Sequence, residues 1–527
     1  MRFVPSMALL ALGVWLAPVQ ALAADYYVAQ APTGDDGNAG SQTLPFATLQ
    51  HAADIVGAGD TVHVAAGSYV GFGLQTAGQP NAPITFVAEG AVLVDQPGSS
   101  GIGNPNDNIT LWKAHYAVLD GFTVTAAPRA GIAVRGDDTE PINGATVVNC
   151  HSYDNTTWGI FTAFAENVRL ERNICSGSAE QHGIYHSNSG DHPVIRGNVL
   201  FGNAGCGLHM NGDASMGGDG MITGALVEDN VSHDNGTAGG SGINCDGVES
   251  SIIRNNLLYN NHASGISLYQ GDSAAGASND VVTGNTVLQP ADGRWCLNIG
   301  ADSTGTIAFD NIFYSDHAFR GAIALDASAL TGFHSDYNVL VDRNSTDTGD
   351  TVLALADWQA LGYDTHSLLS TPAALFVAPG SDDYHLLAGA PAVDLGVAAL
   401  GTGTAPSYDL EGTARPQGAG YDCGCYERCP DDGCVGGGEP DGGPPPDAGG
   451  GAGGTGAGGN GQGNSGAGNS GAAGTGASNP GNAAGNAEDE GGCGCRTAAP
   501  VGSAGALGVL ALGGSVLGLG RRRRNPK

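Results

Sequence analysis

Tyr185, His209 and Asp246 are the residues of this chain best suited to chemistry. A phenol, an imidazole and a carboxylate can pass protons among themselves and a bound ligand, and an unperturbed imidazole titrates near neutrality. His182, His186, Asn211, Asn244 and Tyr269 lie close to them in the sequence pattern and supply donors and acceptors for a hydroxyl-rich ligand. Asp213, Asp219 and Asp272 sit in Gly-rich loops beside the same positions and, with Asp246, offer oxygens for Ca²⁺. Arg294 and Arg320 could grip a carboxylate bidentately. These residues are far apart in sequence, so the chemistry depends on a fold that stacks them on one wall.

Such a fold is written in a repeat. Asn149, Asn173, Asn198, Asn230, Asn256, Asn285, Asn311 and Asn338 each close a short apolar stretch such as VRLERN, PVIRGN or SIIRNN. The intervals are 24, 25, 32, 26, 29, 26 and 27 residues. A period in this range predicts a solenoid. Asn155, Asn203, Asn235 and Asn261 form a second row, five or six residues after the first. Asn tolerates left-handed backbone at a turn, and its amide can bond the same residue one rung away. About ten residues past the first row comes a small residue, an aliphatic and then alternation, as in GIFT (159–162), GIYH (183–186), GLHM (207–210) and GINC (242–245). Period-two alternation predicts strands, and stacked coils pair them in parallel.

Taking the aliphatic as inward fixes the outward columns. The first reads Ala133, Phe161, Tyr185, His209, Asn244, Ser267, Asn298, Ala324. The second reads Arg135, Ala163, Ser187, Asn211, Asp246, Tyr269, Gly300, Asp326. The middle rungs therefore gather a continuous polar patch, and the long insertion at 211–220 lengthens the turn beside it. On the strand before the ladder, Glu171, Arg196, Glu228 and Arg254 alternate in sign and predict an ion-pair ladder with a structural role.

The 527 residues carry 19 basic and 52 acidic side chains, a net charge of -33, which argues against nucleic acid as a partner. Residues 1–23 read as a signal peptide, with Arg2, an apolar centre and the Ala21–Ala23 site. The boundaries that follow are 24–83 for an N-terminal cap, 84–345 for the repeats and 346–434 for a C-terminal cap holding Cys423, Cys425, Cys429 and Cys434. An exported chain favours disulfides over Zn²⁺ here, and Cys150 and Cys175 could pair as well. Residues 435–492 form a Gly-rich linker expected to be disordered. The last segment, 493–527, joins Cys493 and Cys495, an apolar run and Arg521–Arg524, and is long enough for a transmembrane helix.

Two resemblances follow from these residues. The GCGC, apolar run and RRRR order at the C-terminus resembles the MYXO-CTERM sorting segment, which implies a sorting protease acting near Cys493 or Cys495 and display on the cell surface. The opening stretch YYVAQAPTGDDGNAGSQTLPFATLQHAADIVGAGDTVHVAAGSY (26–69), the repeats and the exit phrase GTARPQGAGYDCGCYE resemble the right-handed parallel β-helix proteins of the pectin-lyase-like group. That resemblance implies an all-β solenoid, closed at its start by a short helix over Phe46–Val56, and an extracellular polysaccharide as partner of a monomer. It does not settle activity.

Three functions remain open. A lyase or epimerase acting on a uronic-acid polymer would use Tyr185 or His209 as base, with the aspartates holding Ca²⁺. Lys113, the only Lys between the signal peptide and the tail, lies away from the patch and is excluded as that base. A glycoside hydrolase would need two carboxylates, Asp246 with Asp213 or Asp272. A carbohydrate-binding or structural surface protein needs neither. Trp158 and Trp295 could stack on sugar rings.

Overall fold

The computed structural model describes residues 23–430 and 433–434. The expected signal peptide apart from Ala23, the expected linker and the expected C-terminal sorting segment lie outside the described residues. Among the described residues no helix is long and apolar enough to cross a membrane.

The chain winds into a parallel coil with two sheets, one of 22 strands and one of 11. Each rung has three short strands where the sequence pattern predicts two. The rung of Asn198 illustrates this: Val194–Arg196 and Val199–Phe201 belong to the large sheet, and Leu208–Asn211 to the narrow one. The extra strand is the segment between the two Asn rows. Three residues are too few for alternation to be visible.

The bend between the first two strands explains the Asn row. The residue before each ladder Asn is left-handed, including Arg172, Gly197, Asp229, Asn255, Gly284, Asp310 and Tyr337, all with φ between 53° and 63°. The turn directs the following Asn into the interior, where Asn173, Asn198, Asn230, Asn256, Asn285, Asn311 and Asn338 are fully or almost fully buried. Each Nδ2 from Asn173 to Asn311 donates to the next Oδ1 at 2.9–3.1 Å. The same Oδ1 atoms accept backbone N–H groups from the rung before. Asn149 is not part of this row. It occupies the left-handed position itself (φ 55°), and Cys150 takes the interior place, donating its N–H to Asn173 Oδ1 at 3.0 Å. The second row is also buried, with Asn203 donating to Asn235 and Asn235 to Asn261 at 2.9 and 3.1 Å.

Helix Leu49–Ile55 closes the start of the coil, burying Leu49, Ala52 and Ala53. It begins later than Phe46 because Thr48 is its N-cap, accepting from the His51 N–H, and Asp36 holds the Ala47 and Thr48 amides. Phe46 instead bridges Val28. At the far end helix Leu355–Ala360 buries Trp358, whose Nε1 donates to Asp364. The other oxygen of Asp364 accepts from Asn338 at 2.8 Å and so terminates the amide row.

Beyond that cap the chain does not stop. Residues 375–425 fold back over the outer face of the large sheet as a strap. Val199, Val231, Leu257, Ile312 and Val339 form an outward aliphatic column there, covered by Leu375, Phe376, Leu386, Leu410, Cys423 and Cys425. The exit phrase knots the strap. Buried Arg415 donates to the carbonyls of Asp422 (2.9 Å) and Gly424 (2.7 Å), with Glu427 3.5 Å away. Burial outweighs that guanidinium and pushes the Glu427 carboxyl up to about 7. Cys429 and Cys434 form a disulfide, while Cys423 and Cys425 remain buried thiols. Cys150 and Cys175 do not pair, because Cys175 lies opposite Ser152 and Cys150 is at the turn.

The predicted ion-pair ladder is present, with Arg196 bonding Glu228, Arg254 reaching Glu228 at 2.7 Å and Arg196 lying 3.9 Å from Glu171. Replacing Asn256 by Ala is expected to strand the Asn230 backbone N–H and one of the two N–H groups of its side-chain amide, the other staying on the Ile195 carbonyl. The expected loss is about 3 kcal/mol, seen as a lower denaturant midpoint. Asn149→Ala, at an exposed left-handed turn, should cost less, about 1 kcal/mol, mostly from placing Ala in that backbone conformation.

Candidate functional site

The narrow sheet carries the outward columns in the predicted register. Phe161 pairs with Tyr185, Tyr185 with His209, His209 with Asn244 and Asn244 with Ser267. Alongside run Arg135, Ala163, Ser187, Asn211, Asp246 and Tyr269. The wall exists, but it is sunken: Tyr185 is 5% exposed, His209 4% and Asp246 2%.

One end of the wall is aromatic. Trp158 stacks on Phe161 with centroids 4.6 Å apart, and Phe161 stacks on Tyr185 at 5.6 Å. His209 follows at 5.2 Å from Tyr185. Asn211 Nδ2 donates to Tyr185 Oη at 3.1 Å, and Asn244 Nδ2 to Tyr269 Oη at 2.7 Å. Tyr185, His182, His209, Asn211, Asn244 and Tyr269 are thus brought together.

The two histidines have a fixed order of protons. The Cys206 backbone N–H donates to His182 Nδ1 at 2.9 Å. Neutral His182 then carries its proton on Nε2 and donates to His209 Nδ1, 3.1 Å away. His209 therefore carries its own proton on Nε2, a buried atom with no partner. Burial pushes His209 down to about 4 and, with His209 alongside, holds His182 well below the usual imidazole range. Donor atoms of His182, Cys206 and His209 lie within 4.8 Å of one another, close enough for a transition metal. The backbone N–H at His182 Nδ1 works against that use, since it leaves Nε2 protonated and unable to ligate. The arrangement makes His209 a hydrogen-bond donor toward the wall rather than the base expected from its type.

Several predicted residues serve the framework instead. His186 points inward, where Nδ1 meets Thr162 Oγ1 at 2.6 Å and Nε2 donates to the Gly190 carbonyl at 2.7 Å. The alternation that turns Ile184 inward turns His186 inward too. Asp246 has both oxygens engaged, accepting from the Gly271 and Asp272 amides at 2.7 Å each and Ser273 Oγ at 2.6 Å. It anchors a loop. Asp213 caps the short turn Ala214–Met216 through Ser215, and Asp219 accepts from the Met221 amide. Burial, then Asp246 and Asp213, raise the Asp272 carboxyl. Among the described residues, Asp213, Asp219 and Asp272 do not converge into a three-donor metal group. Arg294 and Arg320 enter strands Leu297–Ile299 and Ile323–Leu325, three and four rungs past His209, or about 14 Å and more along the coil. Trp295 is buried beside Gly349. Lys113 is held by Asp137 at 2.7 Å and Glu140 at 3.2 Å.

Sequence reasoning placed Arg135 in the outward column but gave it no role. Its guanidinium lies 5.4 Å from the Trp112 ring centroid and 5.5 Å from that of Phe161. Nε is buried and partnerless, and among the described residues no carboxylate forms an ion pair with the group, although Asp107, which Arg129 holds, still attracts it from a distance. Burial lowers its pKa, and the neighbouring Arg129 adds to that. Arg129 itself is matched by buried Asp107, at 2.7 and 2.8 Å. Among the described residues of the wall, Arg135 at the aromatic end is a cation without an ion pair of its own. The sequence signal was its column position in a strongly acidic chain. Its lack of an ion partner is a tertiary fact.

Comparisons agree with this geometry at the level of fold. Residues 98–220 match the family described as a right handed beta helix region. No curated protein matches the sequence. The structure is similar to that of pectate lyase Pel9A, with 15% identity over 77% of this chain and 97% of that chain and a TM-score of 0.53. It also matches an alginate lyase from Paenibacillus sp. str. FPU-7 (19% identity, 52% and 93% of the two chains, TM-score 0.39) and a glycoside hydrolase (11%, 62% and 95%, 0.47). The coil with its amide rows is a right-handed parallel β-helix. At these identities the likeness is one of fold.

The buried neutral histidines have a consequence for acid stability. Their folded pKa values lie below the unfolded 6.5, so their stabilising contribution is full above 6.5 and is lost as pH falls toward about 4. His209→Gln should therefore flatten the decline in melting temperature between pH 6.5 and 4 relative to the unaltered protein.

Proposed function

We propose that the protein is a polysaccharide-directed β-helix that takes an acidic glycan along the outer face of the narrow sheet. The observation that carries this reading is unpaired Arg135 at the edge of the Trp112, Phe161, Trp158 and Tyr185 aromatic floor. A guanidinium with no carboxylate of its own suits a uronate carboxylate or a sulfate ester, bound bidentately, while aromatic faces take the apolar faces of sugar rings. In this reading the second N–H of the Asn211 and Asn244 amides meets ring hydroxyls, and the buried, partnerless His209 Nε2–H does so once the ligand displaces its neighbours. The N-terminal signal, the Gly-rich linker and the sorting-like tail support export and display at the cell surface after processing by a sorting protease.

A lyase or epimerase is the second reading. It is favoured by the Tyr185 phenol, which is held by Asn211 and lies next to the His209 donor. In that reading Tyr185 exchanges the C5 proton and His209 steadies the carboxylate or the leaving oxygen. The hydrolase reading loses its first carboxylate, because both oxygens of Asp246 are engaged.

Retention on immobilised uronic-acid, sulfated and neutral polysaccharides tests the proposal. Binding to acidic polymers that weakens with salt is expected, and Arg135→Ala should reduce it about tenfold. Equal retention on neutral polymers, or an unaffected Arg135→Ala protein, would overturn it. New ultraviolet absorbance from unsaturated ends, lost in Tyr185→Phe, would establish elimination; its absence together with retention would leave binding alone.

A further inference from the structure

A cleft lies on another face of the coil. Where the strap crosses the large sheet it leaves a cleft of about 390 Å³, a volume typical of small-ligand sites. Tyr259 and Tyr314 rise from the outward column of the large sheet, two rungs apart, and Tyr384 descends from the strap strand Asp383–Leu386. The Tyr259 and Tyr384 rings are tilted, with centroids 5.2 Å apart. Asp234, Asp316 and Asp382 complete the rim, and no Lys or Arg lines the cleft.

Its hydrogen-bonding capacity is one-sided. Tyr384 donates to Asp382 at 3.2 Å, and the Tyr314 hydroxyl is hydrogen-bonded to Asp316. Burial raises all three phenols, so they remain protonated and add no charge. Gln289, 2% exposed, gives its Nε2 to the Ala263 carbonyl and has no partner for its buried Oε1. The cleft therefore offers acceptors and negative charge and has few donors to spare. A ligand must bring donors and positive charge. A bare metal ion does not fit, since among the described residues no three of these acids bring oxygens within 4.8 Å of one another. The ligand must be large enough to reach separated carboxylates and flat enough to lie against tyrosine rings.

We propose that this cleft binds an amino sugar with a free ammonium group, separately from the acidic glycan of the narrow sheet. The ammonium is held among Asp316, Asp382 and the tyrosine faces, and a hydroxyl or amine N–H meets Gln289 Oε1. Asp382 is exposed and left-handed (φ 59°), a conformation Asn also tolerates, so Asp382→Asn preserves the fold.

Calorimetric titration of the full chain with glucosamine oligosaccharide and with its fully N-acetylated counterpart tests this. Binding of the amine form only is expected, weakened about tenfold in Asp382→Asn and again in Asp316→Asn, with melting temperatures unchanged. Arg135→Ala should leave it intact, which separates this site from the one above. Equal binding of the acetylated form, no binding of either, or preference for spermidine over the sugar would each overturn the proposal.

Discussion

The structure depends on satisfying amide groups inside a narrow coil. Every rung turns sharply between its first two strands, and the turn leaves backbone N–H groups facing an interior without water. From Asn173 to Asn338 one Asn per rung meets that demand, accepting from the backbone of the preceding rung and donating to the next side chain. Because each amide is both partner and client, the row propagates. It can end only where another polar group takes over, as Asp364 does beneath the Trp358 helix. Along those rungs the register of the outward residues is held by that chain of bonds, and the earlier rungs, with Cys150 in the interior place, rely on their parallel strand pairing.

The narrow sheet shows what such a register permits. Residues far apart in sequence meet at strand spacing, so an aromatic run, His209 and two Asn–Tyr bonds share a surface on strands alone, and only His182 is supplied by a turn, held by the Cys206 N–H. The cost is crowding. Side chains this close use one another as partners, and for His186 and Asp246 the framework takes the whole hydrogen-bonding capacity. The neighbours leave two buried groups of the wall without a hydrogen-bond partner, Arg135 Nε and His209 Nε2–H.

The coil, the two outward columns and the alternating ion pairs were legible because each is a periodic signal, and stacking turns period into contact. The middle strand was not, since Val199–Phe201 is too short to alternate. Asn149 misled by sitting one place before the interior position, where any residue able to take left-handed backbone will do. His186 was readable as inward from the phase of Ile184 but was grouped with its turn. The carboxylates were the least legible. Whether an aspartate holds a metal, a proton or its own loop is decided by which backbone N–H groups fall nearby, and for Asp246 those belong to residues 271 and 272.

The strap adds a constraint of timing. A solenoid contacts only its neighbours, so rungs can stack one after another as the chain emerges from its N-terminus. The aliphatic column of Val199, Val231, Leu257, Ile312 and Val339 has no cover until residues past 374 arrive, and Arg415 and Glu427, which fasten that cover, come near the end of the described residues. A nascent molecule thus carries a greasy stripe along an otherwise finished cylinder. Truncation near residue 370 would yield a sound coil that sticks to its own kind, and the tail after the last rung is best understood as the element that keeps these cylinders apart.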